Sequence, residues 1–301
     1  MNVVFLGAGV MSSALAICLN GQHSVSIVPT PFDQSTVTNL REKGFDSRLD
    51  VKWPDIPFGL PFNHVDLVII GVSSPGIGWA LQEAEKILVK NHCPIVLLTK
   101  GLALDEGGSL LTLLQLFESS LKVPVLSISG PCIAKSLAHK HQTKVVLSCQ
   151  EIALAQKYAK LLGNDYYHVE PSSDAIGAAW MGALKNVYAI CVGQAGENLN
   201  LRSALFSQAV KEMAMWCAHH GGDPATVYGL SGVGDLYVTC QGGRNGQLGH
   251  YLSQGLSVDE ILNGPMKNVT VEGLDLARKL SSQSINLSLP LYEGLLQAIK
   301  R

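Results

Sequence analysis

Charge is scarce in this 301-residue chain: Lys, Arg, Asp and Glu together make up 15%, and the formal net charge is −2. No basic excess draws the chain toward nucleic acid or an anionic membrane, so an anionic ligand has to be held by local charges and backbone N–H groups. Paired cysteines are missing too. The seven cysteines, Cys18, Cys93, Cys132, Cys149, Cys191, Cys217 and Cys240, are odd in number and contain no CxxC spacing. That argues against a disulfide framework or a zinc site, and for reduced thiols in a cytoplasmic compartment. Internal repeats and low-complexity segments are absent. With 47% apolar residues the composition is that of a folded chain with ample core, not a disordered one.

A basic leader is also lacking. The start, MNVVFLGAG, has no cationic segment and too short an apolar run for a secretory signal. Only residues 175–195 are apolar enough to resemble a membrane span, and Lys185 and Asn186 stand at their centre. A central lysine costs roughly 2.5–3.5 kcal/mol on insertion. A buried helix is expected there, with no integral membrane association.

What is present has two grammars. Residues 2–6, 24–28, 65–70, 95–98, 125–128 and 144–148 are short apolar runs of the kind that form parallel strands covered on both faces. Helical spacing at 11–19 and 77–89 alternates with them, which predicts an α/β sheet. Beyond Pro171 the patterns are helical: a long helix to about residue 196 with Ser172, Ser173 and Asp174 at its start, another over 202–219, and shorter ones over 224–230, 248–254, 258–262, 271–280 and 291–299. The expected fold is therefore an α/β N-terminal Rossmann-type doubly wound sheet over 1–170, followed by an all-α C-terminal domain over 171–301. Such an apolar helical domain leaves a homodimer open.

The turn GAGVMS at Gly7 lies directly after a strand and directly before a helix. Gly7 permits the tight turn, and Gly9 lets the backbone approach a pyrophosphate at the helix N-terminus. Ser12 stands where a third glycine is usual, and a small residue there still allows close packing. The end of the second strand, VPTPFDQ, has Asp33 several residues late and no arginine near, so the sequence decides for neither NAD nor NADP.

Six segments occur in a telling order: the glycine turn, TKG at Thr99, GPCIAKS at Gly130, GALKN at Gly182, GVGDLYVTC at Gly232 leading to GRN at Gly243, and VEG at Val271. Together they resemble the NAD(P)-dependent glycerol-3-phosphate dehydrogenases across nearly the whole chain. Departures from that pattern are Met11 for an aromatic, Ser12 for glycine, Cys132 for serine, Ser136 for glutamate and Gly243 for serine. The segment from Gly196 follows its family counterpart loosely.

The resemblance implies reversible hydride transfer between NAD(P)H and dihydroxyacetone phosphate, giving sn-glycerol 3-phosphate, the glycerol backbone of phospholipids. It implies cofactor contacts from Gly7, Gly9, Val10, Met11, Lys100, Ala134, Arg244 and Glu272. It implies substrate contacts from Lys100, Gly130, Cys132, Lys185, Asp235, Thr239, Gly243, Arg244 and Asn245. The chemistry of the side chains agrees. Lys185, on a Gly/Ala-rich apolar helix, is desolvated and suits a proton-transfer group. Lys100 follows a strand at the carboxyl edge of the sheet and suits orienting the reacting oxygen. Asp235 suits a charge partner for Lys185, against a plain role as helix cap. Arg244 offers a planar fork for phosphate and Asn245 a further donor, just ahead of a helix expected near Gln247. Glu272 in a first helical turn is also ordinary dipole chemistry.

His219 and His220 sit at a helix end before Gly221–Gly222, where a dipole role is expected rather than a metal; no metal site is expected. Two other readings stay open. One is another two-domain NAD(P) reductase, such as a ketopantoate reductase-like enzyme, which has no need of GDLxxTC followed by RN. The other is a non-catalytic dinucleotide-binding sensor, which has no need of Lys100, Lys185, Asp235 and Arg244 together.

Overall fold

The apolar run NVVFL forms β1 (Asn2–Leu6), whose side chains alternate between two buried layers. In the computed structural model, which describes residues 1–105, 107–283 and 286–300, it is followed by α1 (Val10–Leu19), β2 (Ser24–Val28) and α2 (Gln34–Lys43). A small antiparallel hairpin comes next, β3 (Phe45–Asp46) and β4 (Val51–Lys52), then β5 (Leu67–Ile70), α3 (Ile77–Asn91) and β6 (Ile95–Leu97). A second hairpin, β7 (Leu102–Leu104) and β8 (Leu110–Thr112), leads into α4 (Leu113–Leu121), β9 (Val125–Ser129), α5 (Ala134–Ala138), β10 (Thr143–Ser148), α6 (Ile152–Leu162) and β11 (Tyr167–Ser172).

The main sheet has seven strands in the order β11-β10-β9-β6-β5-β1-β2. All neighbours are parallel except β9 and β10. Alternation along the strands sends Val3, Phe5, Leu67, Ile69 and Leu126 to one layer, with α1 and α6. The intervening Val4, Leu6, Val68, Ile70 and Leu97 go to the other, with α3 and α4. Strands buried on both faces need an apolar residue at every position, which is why these runs are continuous. The chain leaves β1 for β2 on one side and returns to β5 on the other. The end of β1 is thus a topological switch point, where open α/β sheets bind ligands.

β11 was not expected. Its sequence, YHVEPS, is polar and contains Pro171, and it holds the sheet's edge, where a missing N–H is tolerated.

Beyond β11 come α7 (Ala175–Gly193), α8 (Leu199–His219), a 3-10 turn (Pro224–Tyr228), a π-helical turn (Leu230–Gly234), α9 (Asp235–Thr239), α10 (Arg244–Ser253), α11 (Val258–Asn263), α12 (Glu272–Ser281) and α13 (Pro290–Ala298). The chain divides into two compact units, Met1–Ala103 with Leu111–Ala175, and Leu104–Leu110 with Ile176–Arg301. The tip of the β7–β8 hairpin thus groups with the helices, tied there by Gln283 Nε2 donating to Gly108 O at 3.0 Å.

Within the helical unit α7 is the central pillar. It is long and apolar enough to cross a membrane by length and composition, with mean hydropathy 1.3, yet 83% of it is buried inside the protein. Other elements approach it through glycine. A Cβ on Gly249 would stand 2.0 Å from Ile190 O, and one on Gly273 would stand 2.3 Å from Asn186 O.

The fully buried Glu212 of α8 accepts from Leu291 N at 2.7 Å and Tyr292 N at 3.1 Å, so it caps α13 from within the core. Tyr188 Oη donates to the same carboxylate at 3.1 Å. Where α8 ends, the His220 ring stacks on Trp180 at 3.7 Å, with His219 edge-on to it. Burial pushes the His220 imidazole down to about 4. It is therefore neutral near pH 7, and the dipole role expected of it is replaced by ring packing.

Candidate functional site

Within the sheet unit the site begins at the glycine turn. Gly7 has φ +100°, and a Cβ there would lie 2.8 Å from Val72 Cγ1, so the position requires glycine. Gly9 precedes α1, whose first turn holds no acidic residue and whose N-terminus has no side-chain cap. Backbone N–H groups and the helix dipole are thus left for an anion.

Ser12 turns out to be well placed. Its Oγ donates to Gly71 O at 3.0 Å, at the end of β5, and a Cβ on Gly71 would come within 1.9 Å of that hydroxyl. The missing third glycine is compensated by one on the neighbouring strand.

Three residues that the sequence reading passed over or left aside fix this turn. Asp33 Oδ2 accepts from Ala8 N at 2.9 Å, and from Thr30 N and Thr30 Oγ1. On the other side of the same residue, Arg48 donates through Nη1 to Ala8 O at 2.9 Å and through Nη2 to Ser13 Oγ at 3.0 Å. Arg48 is in turn gripped in bidentate fashion by Asp46, which is 1% exposed. The β3–β4 hairpin brings Arg48 to the glycine turn from forty residues along the chain.

The remaining residues expected in this unit sit as follows. Val10 is exposed at the first position of α1, and Met11 Sδ lies 3.8 Å from Cys132 Sγ. Gly130, buried with φ +117°, turns the chain after β9, and Ala134 opens α5, which packs on α1. Thr99 Oγ1 donates to Val72 O at 2.6 Å and pins the segment that carries the half-buried Lys100.

In the helical unit Lys185 of α7 donates through Nζ to Asp235 Oδ1. The lysine side chain is 12% exposed and the aspartate 1%. Asp235 is the first residue of α9, straight after the π-helical turn, so it is delivered to the lysine and does not serve as a cap before the helix. Thr239 Oγ1 donates to Asp235 O at 2.6 Å. The next residue, Cys240, has its thiol pushed up to about 12 by burial, against the opposing charges of Arg202 and Lys185.

The helix expected near Gln247 begins at Arg244. Arg244 therefore stands in the first turn of α10, behind Gly243, which offers no side-chain cap. Arg244 is exposed, whereas Asn245 is buried. Asn245 Nδ2 donates to Asn186 Oδ1 at 3.0 Å and its Oδ1 accepts from Gly273 N at 3.0 Å, so this side chain ties α7, α10 and α12 together. Asn186, next to Lys185, is a participant the sequence reading quoted but gave no task. Glu272 opens α12 beside Gly273.

Comparison with known proteins decides the family. The model of the NAD-dependent glycerol-3-phosphate dehydrogenase N-terminus matches residues 58–155, and that of the C-terminus matches 174–301. The NADP(+)-dependent glycerol-3-phosphate dehydrogenase of Archaeoglobus fulgidus is 33% identical over 99% of this chain and 95% of its own length. The chain belongs to the glycerol-3-phosphate dehydrogenase family. A second relative from that family, the glycerol-3-phosphate dehydrogenase [NAD(P)+] of Mycobacterium avium, is 32% identical over 96% of the chain and 87% of its own. The crystal structure of glycerol-3-phosphate dehydrogenase from Coxiella burnetii has the same fold, with a TM-score of 0.85 at 24% identity over 99% of this chain and 94% of that one.

Proposed function

We propose that this family member interconverts sn-glycerol 3-phosphate and dihydroxyacetone phosphate with NAD or NADP, and that Lys185 carries the proton. The observation that carries the reading is the Lys185–Asp235 pair, a nearly buried ammonium against a fully buried carboxylate. In the direction of oxidation, the C2 hydroxyl loses its proton to a base while the C2 hydrogen leaves with its electron pair. A bound nicotinamide supplies the acceptor for that hydride. In oxidation Lys185 Nζ acts as the neutral amine, takes the hydroxyl proton and becomes the ammonium; in reduction the ammonium gives the proton to the carbonyl oxygen and returns to the amine, with Asp235 holding the lysine in place and balancing the charged form. Lys100 orients the reacting oxygen and keeps positive charge beside it. Arg244 and the uncapped first turn of α10 take the phosphate, with Gly243 and Asn245 shaping that turn. Thr239 fixes the backbone behind Asp235. Gly130 and Cys132 present the backbone of the GPC turn to the substrate.

The residues present fit a dinucleotide. Gly7 and Gly9 leave no Cβ in the way, the Ala8 peptide is held from both sides, and α1 opens with free N–H groups. Val10, Met11 and Ala134 line this turn in the proposed complex, and Lys100, Arg244 and Glu272 supply polar contacts to the cofactor. We place the enzyme in the cytoplasm, on the strength of seven cysteines, odd in number and without a CxxC spacing, and a buried α7. We propose a homodimer through the helical unit, where Leu199 and Tyr237 are exposed.

The test is spectrophotometric. Wild-type protein is mixed with glycerol 3-phosphate and each oxidised cofactor, then with dihydroxyacetone phosphate and each reduced one. Turnover is expected, and the faster cofactor names the preference. Cofactor binding without turnover of either substrate would overturn the reading and leave a binding protein.

A further inference from the structure

The grip of Arg48 on the glycine turn is itself aimed by a third element. Its guanidinium commits four of its five N–H groups: Nε and one Nη2 hydrogen to Asp46, one Nη1 hydrogen to Ala8 O, and the other Nη2 hydrogen to Ser13 Oγ. The backbone N–H of Arg48 also donates to Asp46 Oδ1, at 3.0 Å. With its fork tied to its own hairpin, Arg48 cannot adjust by rotating a free side chain. Where it reaches Ala8 is set by where the β3–β4 turn stands.

That turn is docked on α5. Leu49 is fully buried and shares a core layer with Leu137 and Ala138 of α5 and with Ala14 and Leu15 of α1. Its carbonyl accepts from His139 Nε2 at 3.0 Å, at the C-terminal end of α5. Asp50, the next residue, has φ +61°, in the left-handed region that a residue other than glycine keeps only where its surroundings hold it. Lys135, in the first turn of α5, donates to its Oδ2 at 3.2 Å. Both partners of that ion pair are more than half exposed, so it adds little, and the docking falls to Leu49 and the His139 bond.

α5 opens at Ala134, two residues after Cys132 of the GPC turn. A continuous path therefore runs along α5, through residues 46–50, to the peptide of Ala8. Glycines flank Ala8 on both sides, and a backbone that free keeps a set shape only when it is gripped. Shape fixed in advance is shape that a ligand does not have to order on binding.

We propose that the β3–β4 hairpin is a strut between α5 and the glycine turn, with Arg48 and His139 as positioning residues for the dinucleotide. The strut serves this purpose only if the glycine turn holds a dinucleotide, as proposed above. His139 acts through Leu49 and Arg48 and touches no ligand itself.

A double-mutant cycle on dinucleotide affinity tests the strut, by fluorescence titration of the full chain with NADH and with NADPH in the absence of substrate. Arg48→Gln is expected to raise the dissociation constant about 10-fold and His139→Ala about 3-fold, each through lost hydrogen bonds that hold the turn. Arg48→Lys keeps the charge without the fork and is expected to fall between wild type and Arg48→Gln. In the double variant Arg48→Gln/His139→Ala the constant is expected to stay at about 10-fold, because His139 then has no arginine left to aim. Independent effects that multiply to about 30-fold overturn the strut. So does a His139→Ala constant equal to that of wild type. Should Arg48→Gln fail to fold, Arg48→Lys takes its place in the cycle. Wild type that binds neither NADH nor NADPH overturns the dinucleotide reading and the strut together, whereas binding with independent effects overturns the strut alone.

Discussion

The two units employ buried charge in opposite ways. In the sheet unit Asp33, Asp46 and Arg48 serve the backbone: they hold the peptide of Ala8 and the hydroxyl of Ser13, and in the proposed complex the dinucleotide meets amides they have fixed. In the helical unit the buried charges Lys185 and Asp235 face each other, and the lysine keeps 12% of its surface open. Recognition of a dinucleotide needs a rigid backbone of set shape, whereas proton transfer needs a side chain with an ionisable atom within reach. Under the function proposed above, the difference follows from the task of each unit.

The largest expected effect tests whether buried charge in the helical unit is also structural. Glu212 accepts four hydrogen bonds, from Tyr188, Gln208, Leu291 and Tyr292. Glu212→Ala leaves these donors unpaired in the core and is expected to cost about 3–4 kcal/mol of stability. Chemical denaturation reads this as a lower midpoint with an unchanged slope.

Asp235→Asn sharpens the contrast between the units. Turnover is expected to fall on the order of 10²-fold, with cofactor affinity unchanged, because only the lysine's partner is altered. Equal losses in both would mean that Asp235 supports the fold and not the proton transfer.

Gly7→Ala addresses the other unit. A Cβ at φ +100°, 2.8 Å from Val72 Cγ1, distorts the turn, and the dissociation constant for the dinucleotide is expected to rise about 10-fold. Fluorescence titration measures it.

The smallest effect concerns pH. The folded-state pKa of His220 lies near 4, below its ordinary value of 6.5, so the unfolded chain binds the extra proton first. The stability contributed by the neutral ring is fully present above pH 6.5 and is lost as pH falls toward 4. His220→Phe keeps a ring against Trp180 without a titrating nitrogen. The decline in Tm between pH 7 and pH 5 is expected to be shallower in that variant.

Much of this was legible in the sequence, for physical reasons. Strands covered on both faces favour an apolar residue at each position, so β5 and β6 and most of β1 announce themselves as short runs. The turn at Gly7, the lysine in α7 and the GDLxxTC segment are visible in residue type and spacing, and the structure sets Lys185 against Asp235.

What was not legible depends on contacts distant in the chain. Nothing in DSRLD reveals that Arg48 reaches Ala8, because the contact is made by the folding of a hairpin whose strands are two residues each. Ser12 reads as a defect until Gly71 is seen opposite it. Asn245 reads only as a ligand-binding donor in the sequence, and the structure adds that its amide also ties Asn186 to Gly273. The start of α10 was placed three residues late because Gly243 gives no capping side chain to mark it. β11 was overlooked because an edge strand admits proline and polar residues.

The central claim is a division of labour, with cofactor recognition in the sheet unit and proton transfer at Lys185. The most direct measurement compares wild type and Lys185→Ala in two assays on the same protein: dinucleotide binding by fluorescence, and hydride transfer to or from a saturating triose phosphate. The account predicts a dissociation constant within about 2-fold of wild type together with turnover lowered by at least about 10². Undiminished turnover, or a loss of dinucleotide binding that matches the loss of turnover, would contradict it.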